Sequence, residues 1–76
     1  MGQFRYHVVR HKDGWAYRFE STYSRVFPTQ LAATEAARAA AHQMHEPGDE
    51  TLVLIQEGPL VWRLELTIRD VDGPAA

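Results

Sequence analysis

The groups in this sequence that could do chemistry are four histidines, a short hydroxyl-bearing stretch and a set of arginines set among aromatic rings. His42, His45 and Glu46 stand at i, i+3 and i+4, and two imidazoles with a carboxylate could serve zinc. The His-Glu-x-x-His arrangement is absent, however, and His7 and His11 have no fixed spacing to that pair. Near a helix end, His42 and His45 read more simply as cations favoured by the negative C-terminus. Ser21, Thr22 and Ser24 would need a base within reach to act as nucleophiles. No nucleophile elbow or phosphate-binding loop occurs, and Gly14, Gly48, Gly58 and Gly73 each stand alone in a turn. The expectation is therefore a non-enzymatic protein with no catalytic residue, metal, cofactor or small-molecule substrate. The fourth group is different in kind. Arg5, His7, Arg18 and Arg25 lie in a stretch, residues 4–25, that also holds six aromatics. Cations for phosphates and rings for bases are what exposed nucleic-acid-binding sheets combine.

Whether those groups can act together depends on the elements that carry them. A chain of 76 residues buries roughly 60% of its open-chain surface. That supports one small core and excludes both a second domain and a large interlayer cleft. Hydrophobic residues make up 45% and charged residues 24%, as in an ordinary globular domain. Cysteine is absent, which excludes a disulfide framework and a thiolate zinc site. No apolar run approaches the roughly 20 residues of a membrane helix, and residues 1–10 lack a signal-peptide pattern. These features lead to the expectation of a cytoplasmic protein with no membrane association. The net charge of −2 is unevenly spread: residues 1–44 carry six basic against three acidic side chains, and residues 45–76 carry two against seven. Only the first half could meet a phosphate backbone, and only if the fold gathers its charges on one face.

Turn-forming pairs at Asp13-Gly14, Pro47-Gly48, Gly58-Pro59 and Gly73-Pro74 cut the chain into short segments. In residues 4–10, Phe4, Tyr6 and Val8 alternate with Arg5, His7 and Val9. In residues 15–20, Trp15, Tyr17 and Phe19 alternate with Ala16, Arg18 and Glu20. Period-two alternation on both sides of an Asp-Gly turn predicts an antiparallel hairpin. A short strand is expected within residues 23–27. Residues 30–44 hold seven alanines and neither Gly nor Pro, which predicts a helix. Thr29 is its expected N-cap, and Ala33, Ala36, Ala37, Ala40, Ala41 and Met44 form its inner face. Residues 51–56 form a continuous apolar run of strand length. Residues 60–69 alternate throughout, which predicts Leu60, Trp62, Leu64, Leu66 and Ile68 inward and Val61, Arg63, Glu65, Thr67 and Arg69 outward. The expected fold is two-layer α+β: one antiparallel sheet of four to five strands packed on a single alanine-rich helix, in one domain over residues 1–70. Residues 71–76 are expected to form a flexible tail.

The motifs Tyr6-His7-Val8-Val9, Asp13-Gly14-Trp15-Ala16, Thr29-Gln30 with Ala33 and Glu35-Ala36-Ala37-Arg38, and then Leu52-Val53, resemble those of a family of small bacterial proteins of unknown function. The resemblance covers residues 6–58 and implies a β-β-α-β-β domain. It carries no activity, since the family offers no catalytic residues to transfer. After Gly58 this chain departs from the pattern, with Pro59 and a longer apolar strand.

Two functions compete on this basis. Eight aromatics and two long apolar strands exceed what one alanine-rich helix can cover. A last strand at the sheet edge would also present unpaired backbone groups. A protein-interaction module is therefore expected first, most simply a homodimer using Val61, Arg63, Glu65 and Thr67. Outward Arg63, Glu65 and Arg69 would otherwise serve to protect that edge. The alternative is an accessory nucleic-acid binder using Arg5, His7, Arg18 and Arg25. Alternation sets its cations opposite the hairpin's rings, so contact would be limited to the backbone and without sequence preference.

Overall fold

The computed structural model describes residues 2–69. In chain order the elements are β1 (Gln3–His11), β2 (Gly14–Phe19), β3 (Thr22–Tyr23), α1 (Gln30–Met44), β4 (Glu50–Gly58) and β5 (Val61–Arg69). The strands form one sheet in the order β3-β2-β1-β4-β5. With α1 across one face this is the expected two-layer α+β fold. The sheet is mixed rather than wholly antiparallel, because β4 runs parallel to its neighbour β1. A parallel partner needs a crossover of a dozen or more residues. Helix α1 supplies it, returning the chain to the end of the sheet where β1 begins.

The hairpin is built as its alternation predicts. Tyr6 pairs with Phe19, Val8 with Tyr17 and Arg10 with Trp15, so the large rings share the helix-facing side. The third strand is shorter and earlier than expected. Beyond Tyr23 the chain stays beside β2 through single contacts: Ser24 N donates to Tyr17 O, and Trp15 and Phe27 exchange backbone hydrogen bonds of 2.9 and 2.6 Å. This segment closes the free edge of β2. Gly14 is needed for that closure, since a Cβ there would lie 2.5 Å from the Phe27 carbonyl oxygen. The turn residue in the left-handed region is instead Lys12, at φ 56°.

Thr29 caps α1, its Oγ1 accepting from Ala32 N at 3.0 Å. Ala33, Ala37 and Ala41 are fully buried, Ala36 and Ala40 partly so, and Met44 is exposed. Thr34 joins the buried face because its hydroxyl donates to the Gln30 carbonyl one turn back. The core joins these small residues to Tyr6, Val8, Val53 and Ile55, with Trp15, Tyr17, Phe19, Phe27, Leu66 and Ile68 packed around it. Alanines let the helix axis approach, and the rings beneath fill the volume that leucines would otherwise occupy. Full burial of Val8, Val53 or Ile55 stabilises by about 1.5–3 kcal/mol each.

The last strand departs from its predicted alternation. Val53 pairs with Leu66 and Leu54 with Leu64, which leaves Glu65 as the extra residue of a β-bulge. A bulge shifts the phase of the side chains beyond it. Only Leu66 and Ile68 therefore face the helix. Trp62 (41% exposed) and Leu64 (54%) lie on the opposite face, and Leu60 is 91% exposed in the turn. The expected five-residue inward row is thus two residues long. The expected tail, residues 71–76, lies outside the described residues.

Candidate functional site

The sheet face away from α1 carries the candidate site. Register sets Arg5 beside Leu52, and His7 between Arg18 and Leu54. The phase shift in β5 adds Leu64 beside Leu54 and Trp62 beside Gln56. The Trp62 ring meets the His7 imidazole edge-on at 4.9 Å. On the other side Tyr23 stacks on His11 at 4.2 Å, and the intervening Ala16 is fully buried. The centre of the face is therefore apolar, made of Val9, Leu52, Leu54, Trp62 and Leu64, with cations around it.

Charge at this face is organised. Burial first, then Arg18 and Arg5, push the His7 pKa below the ordinary imidazole value. The ring is neutral at pH 7 and packs on Trp62 as a near-apolar group. Along one border Arg5 donates to Gln3 at 3.0 Å, Gln3 donates to Glu50 at 2.8 Å, and Arg69 pairs with the same carboxylate. The Gln3 hydrogen bond, then Arg69, hold the Glu50 carboxyl below its usual range.

The residues proposed for nucleic acid are therefore partly assembled. Arg5, His7 and Arg18 share the face, whereas Arg25 lies beyond β3 with its guanidinium over the Phe27 ring at 4.6 Å. The hairpin rings do sit on the opposite side, as alternation predicts, but Trp62 and Tyr23 supply rings on the cationic face itself. Sequence reasoning missed Trp62 and Leu64 here because strict alternation assigned them inward. No local motif announces the bulge, beyond the charged Glu65 interrupting a leucine-rich row.

The residues proposed for self-association divide between the faces. The bulge turns Val61, Arg63 and Glu65 toward the helix side and leaves Thr67 on the outer face, opposite Leu52. Arg63 bonds both Glu57 and Glu65 at 2.5 Å, and Glu65 also reaches Arg38 at 3.6 Å. These bonds raise the Arg63 pKa further above its ordinary value. As the sequence reading required, β5 is the edge strand. His45 caps the end of α1, its Nδ1 3.2 Å from Thr51 Oγ1, rather than joining His42 as a ligand pair. Among the described residues no three His, Asp or Glu side chains gather as a metal site, and no helix is long and apolar enough to cross a membrane.

No curated protein and no solved structure matches this chain. A family model does match, over residues 6–60, and β5 begins just beyond its last matched residue. That model covers β1 from Tyr6, β2, β3, α1 and β4, which are the elements whose motifs the sequence shares with small bacterial proteins. The chain belongs to the family described as an uncharacterised protein conserved in bacteria, DUF2188.

Proposed function

We propose that this domain is a non-enzymatic protein-interaction module whose partner is a second copy of itself, joined along β5 and the adjoining outer face. One observation carries the reading: the edge strand is nine residues long and holds Trp62 and Leu64 exposed beside Leu54. An open edge next to an apolar patch is a template for strand pairing. The opposite edge, by contrast, is closed by the segment around Ser24 and Phe27. Charge favours self-pairing. A two-fold axis through Leu64 makes β5 antiparallel to its copy and sets Arg63 of each opposite Glu65 of the other. The two Leu64 side chains then meet at the axis, an isologous arrangement. Sedimentation equilibrium across the micromolar range tests this. A dimer is expected, and Leu64→Asp is expected to leave a folded monomer, because the side chain is exposed in the single copy. A wild-type chain that stays monomeric throughout overturns the proposal.

A second reading, accessory nucleic-acid binding, gains from the presence of Trp62 and Tyr23 on the face that carries Arg5 and Arg18. Titration of labelled single-stranded DNA and RNA at two salt concentrations tests it. Binding that weakens as salt rises and is reduced by Arg18→Glu is the expected signature. Absence of binding at low salt removes this reading.

A further inference from the structure

Where β1 begins and β2 ends, a cavity of about 230 Å³ opens at the outer face of the sheet. It is smaller than the sites that enclose a drug-sized molecule, and suits one charged group. Arg5, His7 and Arg18 line it. Arg18 is paired with His7 across the strands, and Arg5 is the next residue along the same face of β1. Both guanidiniums reach His7 electrically, since after burial it is their charge that lowers its pKa. Like charges brought together on adjacent strands oppose folding. Here no carboxylate offsets them. The Arg18 guanidinium has no hydrogen-bond or ion-pair partner among the described residues, and Arg5 bonds only the neutral Gln3 amide at 3.0 Å. Glu20 lines the same cavity at the end of the sheet and pairs with neither arginine.

The cationic pair is also held in place. Gln3 Nε2 donates to Glu50 at 2.8 Å, which turns its Oε1 toward Arg5, and Arg69 fixes the same Glu50 carboxylate. A guanidinium positioned before its ligand arrives loses less freedom on binding. Arginine forks match the oxygens of a phosphate, and two of them match the charge of a terminal phosphate dianion. The neutral His7 imidazole keeps one N–H donor beside them. Away from the sheet end the face turns apolar: Leu54 stands level with His7, and the Trp62 ring meets the imidazole at 4.9 Å. A ring and an aliphatic surface next to cations suit a base next to its phosphate. On the other side a second phosphate would meet the Glu20 carboxylate, so a strand entering over Leu54 ends at the arginines.

We propose that this cavity binds the terminal phosphate of a nucleotide, with Arg5 and Arg18 on its oxygens and the nucleoside over Leu54 and Trp62. The nucleotide is either free or the end of a single strand, and both share the chemistry. The site deepens the nucleic-acid reading of this face and rests on the same cations. It lies two strands in from β5, so pairing of two copies along that edge leaves it open.

Calorimetric titration of the full chain with thymidine 5′-monophosphate, and with thymidine, tests the claim. Short oligothymidylates with a 5′-phosphate, with a 3′-phosphate and with hydroxyls at both ends form the second comparison. Saturable one-to-one binding is expected, at least tenfold tighter for the phosphorylated member. Tighter binding of a phosphorylated strand than of the mononucleotide identifies a strand end as the occupant, and weaker or equal binding identifies a free nucleotide. Arg18→Gln is expected to weaken the phosphorylated probe at least tenfold. Glu20→Gln changes an exposed side chain and is expected to tighten it, an effect that general destabilisation does not produce. Unchanged affinity in both variants places the phosphate elsewhere and overturns the proposal. So does a lack of preference for a terminal phosphate in both comparisons. In that case salt-dependent binding of the hydroxyl-ended strand leaves the accessory nucleic-acid reading standing, and its absence removes both.

Discussion

Replacing Gly14 by alanine is a direct test of how the β2 edge is closed. An added Cβ would sit 2.5 Å from the Phe27 carbonyl oxygen and 2.6 Å from Val26 Cγ1. The first neighbour is backbone, so it cannot swing aside as a flexible side chain would. Relief requires the segment around Phe27 to move off β2, and that breaks the two hydrogen bonds it exchanges with Trp15. Each such bond contributes about 1 kcal/mol net. Overpacking adds about 1–3 kcal/mol, and the restricted unfolded chain returns about 0.4–1 kcal/mol. The net cost is about 2–5 kcal/mol, set against a total stability of roughly 4–11 kcal/mol for a chain of this length. A loss of 3 kcal/mol lowers Tm by about 12–24 °C in a domain of this size. Thermal unfolding followed by circular dichroism measures it, and amide exchange at Trp15 and Phe27 locates it. Gly58→Ala is the control, since its Cβ would meet only Val61 side-chain atoms at 3.7 Å, an ordinary contact. A Gly14→Ala protein that melts within ~2 °C of its parent, with both amides still protected, refutes the reasoning.

Thr29→Ala removes the acceptor for Ala32 N and should cost about 1 kcal/mol, lowering Tm by about 4–8 °C without altering the core. His7 sets a pH dependence. Its folded pKa lies below the unfolded value of about 6.5, so the unfolded chain binds the proton more tightly and stability rises with pH in that range. The contribution is complete above about pH 6.5 and is lost as pH falls toward the folded pKa. Urea titrations at pH 7.5 and pH 5, about one unit or more on either side of the free imidazole pKa, should show weaker folding at the lower pH in the parent and a smaller difference in His7→Gln. An NMR titration that places the His7 midpoint at or above the free imidazole value contradicts the assignment.

Much of the fold is legible because its signals are local. Alternation in β1 and β2 is set by the pleat, and the Thr29 cap and the alanine run are set by helix geometry. The rest depends on residues distant in sequence. Nothing within residues 51–56 distinguishes a strand running parallel to β1 from one running against it, because an apolar run reads the same in both directions. Gly14 belongs to the turn in sequence, yet its lack of a side chain serves Phe27, thirteen positions on. The phase shift at Glu65 is the costliest omission for function. One extra residue moved Trp62 and Leu64 out of the expected core and made them the centre of the outer face. Arg5, His7 and Arg18 were found from alternation alone. Their aromatic neighbours were not, since Trp62 and Tyr23 come from strands whose register the sequence does not state.

The bulge also follows from the widths of the two layers. Five strands about 4.8 Å apart span about 19 Å, whereas a helix with its side chains is about 10–12 Å across. Helix α1 lies mainly over β1, β2 and β4 and barely touches β5. A regular β5 would have placed Leu64 opposite Ile55 and Trp62 beyond it on the helix side, along the rim of the sheet that α1 barely touches. The phase shift gives that bare rim to Arg63, Glu65 and Glu57, which satisfy one another in water. It brings Trp62 and Leu64 beside His7 and Leu54, where they form one continuous surface with the open edge. A narrow helix over a wide sheet thus leaves apolar area that the chain cannot bury alone, and the bulge concentrates that area beside the only long strand edge left open among the described residues.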